Sequence, residues 1–258
     1  MTKTLAFGDD HSAEADHCWN WIASHRWDGW SLDVVSATPP TDMHPVEPGD
    51  ARLHSWEPDQ PREGEDLGFS QIQQLRALVD PRVALIARSW DLVAIGPRGS
   101  GMLKALHLGS TADWLLRQPS SPLLIAQSKG PVQKVLVGAD GSAHAGRAIS
   151  TLASLPWLEG LTVRLLAVDD GRVDTESALE TASVELSGSS ADIETITRGG
   201  GASRAILSEI DAMDPDLVVM GARGHAGLKR LMLGSSTSAV AGSTDVSLLV
   251  AHALADEA

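Results

Sequence analysis

A twenty-residue pattern occurs twice in this chain, and it restricts the fold more than any other feature. The later copy has the apolar run Leu217-Val218-Val219-Met220, then Gly221-Ala222-Arg223-Gly224, nine residues, and Gly234-Ser235-Ser236. The earlier copy has Leu92-Val93-Ala94-Ile95, then Gly96-Pro97-Arg98-Gly99, nine residues, and Gly109-Ser110-Thr111. A short apolar run ending at glycine signals a buried strand, and Gly-Ser-[Ser/Thr] can cap a following helix. With 24 glycines in 258 residues, three glycines at fixed offsets arise by chance at roughly one site in a thousand. A second copy with the same trailing hydroxyls therefore argues for duplication of a working unit.

Such a segment is suited to holding an anion. Glycines just past a strand let the main chain bend and let a ligand approach it, while the free amides of the next helix start point outward with a favourable dipole. Phosphate is the natural guest. The plain alternative is that the glycines only make turns and Ser235 only caps a helix.

Around the two motifs the halves repeat each other. Lys3–Gly8 reads as a strand running into Asp9-Asp10-His11-Ser12 and a helix from Ala13 to Ser24; Val135–Gly138 runs into Ala139-Asp140-Gly141-Ser142 and a helix from Ala143 to about Leu155. Second strands are expected at Trp30–Ala37 and Leu161–Val168, and third strands at Ile72–Leu78 and Asp192–Thr197. Helices are expected at Pro81–Arg88 and Ala202–Met213, and final strands at Pro122–Ala126 and Val246–Ala251. Strands alternating with helices imply parallel pairing, right-handed crossovers and helices on both faces. Ligands in such sheets sit beyond the carboxyl ends of the strands, where the strand order reverses. The expected domains are 1–130 and 131–258, each long enough for its own core.

The halves diverge after the second strand. Residues 38–69 contain six prolines and eight acidic residues against two arginines, which blocks helix and favours an exposed loop. The later half instead offers a helix capped by Asp174 or Thr175, with an apolar stripe of Ala178, Leu179, Ala182 and Leu186. The first half is thus expected to lack or replace one helix. Trp19, within the first helix, and Trp27, just beyond it, fit one side of that segment and read as packing, the alternative being a stacking platform for a base. His11, His17 and His25 form no zinc signature, so no metal site is expected.

The net charge of −14 comes from 11 basic and 17 acidic residues in 1–130, and 9 and 17 in 131–258. Neither half is built for nucleic acid. The lone Cys18 excludes an internal disulfide and fits a reducing cytoplasm. Neither a basic-apolar leader nor an 18-residue apolar run is present, so neither export nor a membrane span is expected.

A first strand ending in Asp-x-Ser (Asp140-Gly141-Ser142, with the variant Asp10-His11-Ser12), joined to Gly-x2-Gly-x9-Gly-[Ser/Thr] after the fourth strand, resembles the universal stress protein family over nearly the whole chain. The resemblance implies two tandem Rossmann-like, adenine nucleotide alpha hydrolase-like α/β domains, each with a five-stranded parallel sheet. It also implies pairing through the last strands and binding of ATP, with or without Mg2+. Carried over, Asp140 lies near the adenosine end, Val168 lines the base pocket, Gly221 and Gly224 shape the loop, and Gly234, Ser235 and Ser236 hold phosphates. The first-half set is Asp10, Ala37, Gly96, Gly99, Gly109, Ser110 and Thr111. Pro97, which offers no N–H, and His11 in place of Gly141 predict weaker binding by the first half. The missing helix is expected to leave its base side open.

Three function classes follow. The first is an ATP-binding regulatory module with little or no turnover, acting on a protein partner that the sequence does not identify. The second is a slow ATP hydrolase or phosphotransferase, against which stands the lack of any Gly-x4-Gly-Lys-[Ser/Thr] motif. The third is a nucleotide-free scaffold. The last strands, Leu123–Ala126 and Leu248–Ala251, offer edges for pairing within the chain or for a homodimer.

Overall fold

The computed structural model describes residues 2–39, 51–98, 108–118, 120–127, 130–171, 173–224 and 232–254. The first half runs β1 (Lys3–Gly8), α1 (Ala13–Ala23), β2 (Trp30–Ala37), β3 (His54–Ser55), β4 (Gln71–Ala77), α2 (Pro81–Leu85), β5 (Leu92–Ile95), α3 (Ser110–Leu116) and β6 (Leu123–Ile125). The second runs β7 (Lys134–Gly138), α4 (Ala143–Ala153), β8 (Thr162–Asp169), α5 (Thr175–Leu186), β9 (Asp192–Gly199), α6 (Ala202–Met213), β10 (Leu217–Gly221), α7 (Ser235–Ser243) and β11 (Ser247–Ala251).

Local chemistry explains where these elements begin. Ser12 Oγ accepts from the Ala15 amide at 3.1 Å and Ser142 Oγ from the Ala145 amide at 3.2 Å, so each Asp-x-Ser turn is also the cap of α1 or α4. Asp174 caps α5 through the Ser177 amide at 3.1 Å, and Asp80 with Pro81 starts α2. The central strands are apolar on both faces. β5 and β11 are buried along their whole length, as expected for sheet covered by helices on two sides.

Among the described residues eleven strands form one sheet in the order β3-β4-β2-β1-β5-β6-β11-β10-β7-β8-β9. Within each half the neighbours β4, β2, β1, β5, β6 and β11, β10, β7, β8, β9 are parallel. Where the halves meet, β6 and β11 pair antiparallel, with Leu124 opposite Leu249. The buried clusters on both faces also cross this junction, one joining Trp21 and Trp27 to Ala148 and Leu152, the other joining Leu115 and Leu116 to Val240 and Ala241.

Residues 38–69 depart from the exposed loop expected of them. Their described part holds no α-helix, but β3 pairs antiparallel with β4, and a 3-10 turn at Glu65–Leu67 brings Leu67 and Phe69 against the core. Phe69 stacks on Trp27 with ring centres 5.7 Å apart. Arg62 then reaches into the sheet end, its Nε donating to Asp9 Oδ2 at 2.7 Å and its terminal nitrogen to Asp9 Oδ1 at 3.0 Å and Asp16 Oδ1 at 2.7 Å. A short edge strand and an anchored arginine thus follow the second strand in the chain position that α5 holds in the second half. Trp27 is fully buried, with its Nε1–H donating to the Ile22 carbonyl at 2.9 Å, in keeping with the packing reading.

Candidate functional site

Each half reverses its strand order once, between β1 and β5 and between β7 and β10. Sites in open α/β sheets form beyond the carboxyl ends at such a reversal. Parallel register brings the ends of β5, β1 and β2 together in one half, and of β10, β7 and β8 in the other. Gly96, Asp10 and Ala37 therefore come together, as do Gly221, Asp140 and Val168. Gly99 lies outside the described residues, as do His107 and His225.

Over the first set opens a cavity of about 1000 Å3. Its walls include Asp10, Ala37, Gly96, Gly109, Ser110 and Thr111, with Arg98 on the loop between strand and helix. Leu233, Ser238, Ala241 and Gly242, from α7 and the loop before it, close one side, so the second half completes a first-half cavity. Trp56 and Arg76 close the opposite side, which the sequence reading left open for want of a helix.

The helix starts differ from the sequence reading. Ser110 and Ser235 are the first helical residues rather than caps; Gly109 and Gly234 are the caps and bring no side chain to the helix end. The amides of Ser110 and Thr111, and of Ser235 and Ser236, have no carbonyl within their own helix to bond, and an acceptor from outside suits them. The glycine amides are spent. Gly109 N–H donates to the Pro97 carbonyl at 2.7 Å and Gly234 N–H to the Ala222 carbonyl at 2.8 Å, so these glycines close the loop rather than hold phosphate. The penalty expected of Pro97 also loses its basis: the matching Ala222 N–H is committed to the Ala251 carbonyl at 2.8 Å, so proline costs a ligand nothing there.

The first glycine of each motif answers to packing. A β-carbon on Gly96 would lie 2.5 Å from the Glu14 carbonyl oxygen, and one on Gly221 2.7 Å from the Ala145 amide nitrogen, so each glycine admits the start of α1 or α4. In the second half the loop also presses on Asp140, whose Oδ2 stands 2.6 Å from where a β-carbon of Gly224 would be. Asp140 Oδ1 accepts from the Ser142 amide at 3.0 Å, as Asp10 does from Ser12 at 3.1 Å. A second cavity, of about 820 Å3, lies between α4 and α5 and reaches Asp140–Ser142. Its walls, among the described residues, do not include Val168, Gly221, Gly224 or Gly234–Ser236.

The electrostatics distinguish the halves. Burial raises the Asp9 carboxyl, but hydrogen bonds from Arg62 and the His11 amide, with the Arg62 charge, outweigh it and hold Asp9 below the ordinary carboxylate value. His11 takes a left-handed φ of 57°, matched by 74° at Gly141, and its amide donates to Asp9 Oδ1 at 2.9 Å. The turn geometry thus survives the loss of glycine. In the second half burial lowers His144, and so does the neighbouring Arg223. Sequence reasoning missed Trp56 and Arg62 because no pattern marks residues of an irregular segment for a site, and Arg76 because the periodicity of β4 places the strand without saying what a polar side chain on it meets. Of these, only Arg62 left a trace, as one of two arginines amid eight acids.

Residues 131–252 match the model of the universal stress protein family. The chain is 29% identical over 164 residues to a universal stress protein of Synechocystis sp., covering 62% of this chain and 57% of the relative. It is 26% identical over 197 residues to one of Mycobacterium tuberculosis, covering 67% and 65%. It thus spans less than two thirds of the length of these curated relatives. The fold is similar to the crystal structure of a universal stress protein from Archaeoglobus fulgidus, with TM-score 0.64, 17% identity, and 100% and 98% of the two chains covered.

Proposed function

We propose that this chain, whose residues 131–252 match the universal stress protein family model, is a tandem adenine nucleotide-binding module, 1–130 and 131–258, which takes ATP and acts by presenting an altered surface to a protein partner rather than by turning nucleotide over. The observation that carries the reading is the first-half cavity of about 1000 Å3, which gathers Asp10, Ala37, Gly96, Gly109, Ser110 and Thr111. In a chain of net charge −14, the loop beside that cavity brings Arg98, and the first turn of α3 brings unbonded amides. This chemistry suits phosphates. Asp10, at the end of β1, would face the sugar, and the far end would take the base. Bound ATP would supply negative charge beside Arg98; this chain's residues would bind and orient it. The first half, with the open cavity, is the tighter site in this reading.

One observation favours a nucleotide-free scaffold. Gly96 and Gly221 are each required by a neighbouring helix start whether or not a ligand is present. Native mass spectrometry of gently purified protein separates the readings, with copurified adenine nucleotide expected. ATP is expected to bind with micromolar-range affinity and to release phosphate slowly or not at all. Protein that neither carries nor takes up nucleotide would leave the scaffold, and rapid, saturable phosphate release would make it an enzyme.

A further inference from the structure

The cavity walls at the end of β2 and β4 come largely from the segment that stands in for a helix. Trp56 follows β3 directly, and its amide donates to the Gln74 carbonyl at 3.1 Å, which seats the residue against β4. Arg76, on β4, lies with its guanidinium carbon 5.1 Å from the centre of the Trp56 ring, within cation-π range. Both side chains line the cavity beside Ala37, Thr38 and Pro39, opposite the end formed by Gly109–Thr111. The indole Nε1 is buried and has no hydrogen-bond partner among the described residues, so the part of Trp56 facing the cavity is ring carbon. A carbon ring layered with a guanidinium is a stacking surface for flat, electron-rich groups and carries no hydrogen-bond pattern to tell one base from another.

The geometry points to Trp56, backed by Arg76, as the stacking wall that gives this cavity its preference for a nucleotide over inorganic polyphosphate. The inference rests on the nucleotide reading of the cavity and assigns to Trp56 the closing of the base end. Its counterpart in the second half has α5 in the chain position of this segment and no equivalent tryptophan; the sole tryptophan there, Trp157, follows α4 and packs against Trp21.

The test compares wild type, Trp56→Ala and Trp56→Phe by calorimetric titration with ATP, GTP and tripolyphosphate. Aromatic-base stacking corresponds to roughly 5- to 150-fold in affinity. Trp56→Ala is expected to weaken the tighter class of ATP site at least fivefold while leaving tripolyphosphate affinity unchanged. Trp56→Phe is expected to recover most of the loss and to show that the alanine variant failed for want of a ring rather than of a fold. ATP and GTP are expected to lose affinity together. If both variants bind ATP as wild type does, the inference is overturned and the nucleotide reading stands. A Trp56→Ala variant that loses tripolyphosphate as well overturns it too, since the wall would then be structural. Wild-type protein that binds neither ATP nor tripolyphosphate removes the nucleotide reading and this inference together.

Discussion

At the scale of single residues, the two glycine motifs combine packing and presentation in a fixed order. Gly221 leaves room for α4, Gly234 closes the loop through its amide, and the next two residues turn free amides outward. An alanine at Gly221 would place its β-carbon 2.7 Å from the Ala145 nitrogen and 2.8 Å from the His144 carbonyl carbon. Both are main-chain atoms that cannot swing away. Gly221→Ala is therefore expected to lower stability by about 1–3 kcal/mol in denaturant titration, with no ligand present. An unchanged midpoint would show that the helix start can shift. Gly234 is tight as well, since an added β-carbon would lie 3.2 Å from the Ala222 oxygen and from the Arg223 α-carbon. A bulky residue there would distort the loop before it blocked any ligand.

At the scale of elements, the informative contrast is between α5 and the proline-rich segment. Both follow the second strand of their half, but α5 lies on the sheet through Ala178, Ala182 and Leu186, whereas the segment is anchored by Leu67, Phe69 and the Arg62–Asp9 pair. Asp9 is 2% exposed, so removing its partner strands a buried charge. Arg62→Ala is expected to cost about 3 kcal/mol at neutral pH. The pH dependence has a definite sign. In wild type the folded Asp9 carboxyl lies below its ordinary value of 3.8, so its contribution is present above that pH and is lost as pH falls through the lower folded value. In Arg62→Ala, burial, the largest influence, is opposed only by the His11 amide and charge and raises the carboxyl, so the variant is penalised most at neutral pH and recovers as acid neutralises Asp9. Stability curves from pH 7 to pH 4 should therefore converge on acidification; a constant gap would show that Arg62 acts through packing on Phe7 and Trp19 alone.

At the scale of the whole molecule, two buried histidines join the halves. His25 Nδ1–H donates to the Trp21 carbonyl at 2.8 Å while its Nε2 accepts from the Val132 amide at 3.0 Å, and His252 Nε2–H donates to the Leu116 carbonyl at 2.8 Å. Burial lowers both from 6.5 to about 4, with the Arg223 and His144 charges adding to the effect at His252. Between those values the unfolded chain takes up protons that the folded one refuses. Stability should be whole above pH 6.5 and decline as pH falls to about 4, by roughly 3 kcal/mol per histidine at the acid end. Urea titrations across that range test this, and His25→Gln should flatten the slope; a flat wild-type profile would contradict it. Much of this architecture was legible beforehand. Periodic apolar runs, a cap such as Asp174, and a motif repeated at fixed spacing determined the alternating strands and helices of each half outside residues 38–69, because each is a local pattern written in adjacent positions. The commitment of the Ala222, Gly109 and Gly234 amides, the union of all strands in one sheet and the walls supplied by Trp56 and α7 were decided only by tertiary structure. They depend on which main-chain and side-chain groups meet across long stretches of sequence, where no local periodicity carries the information.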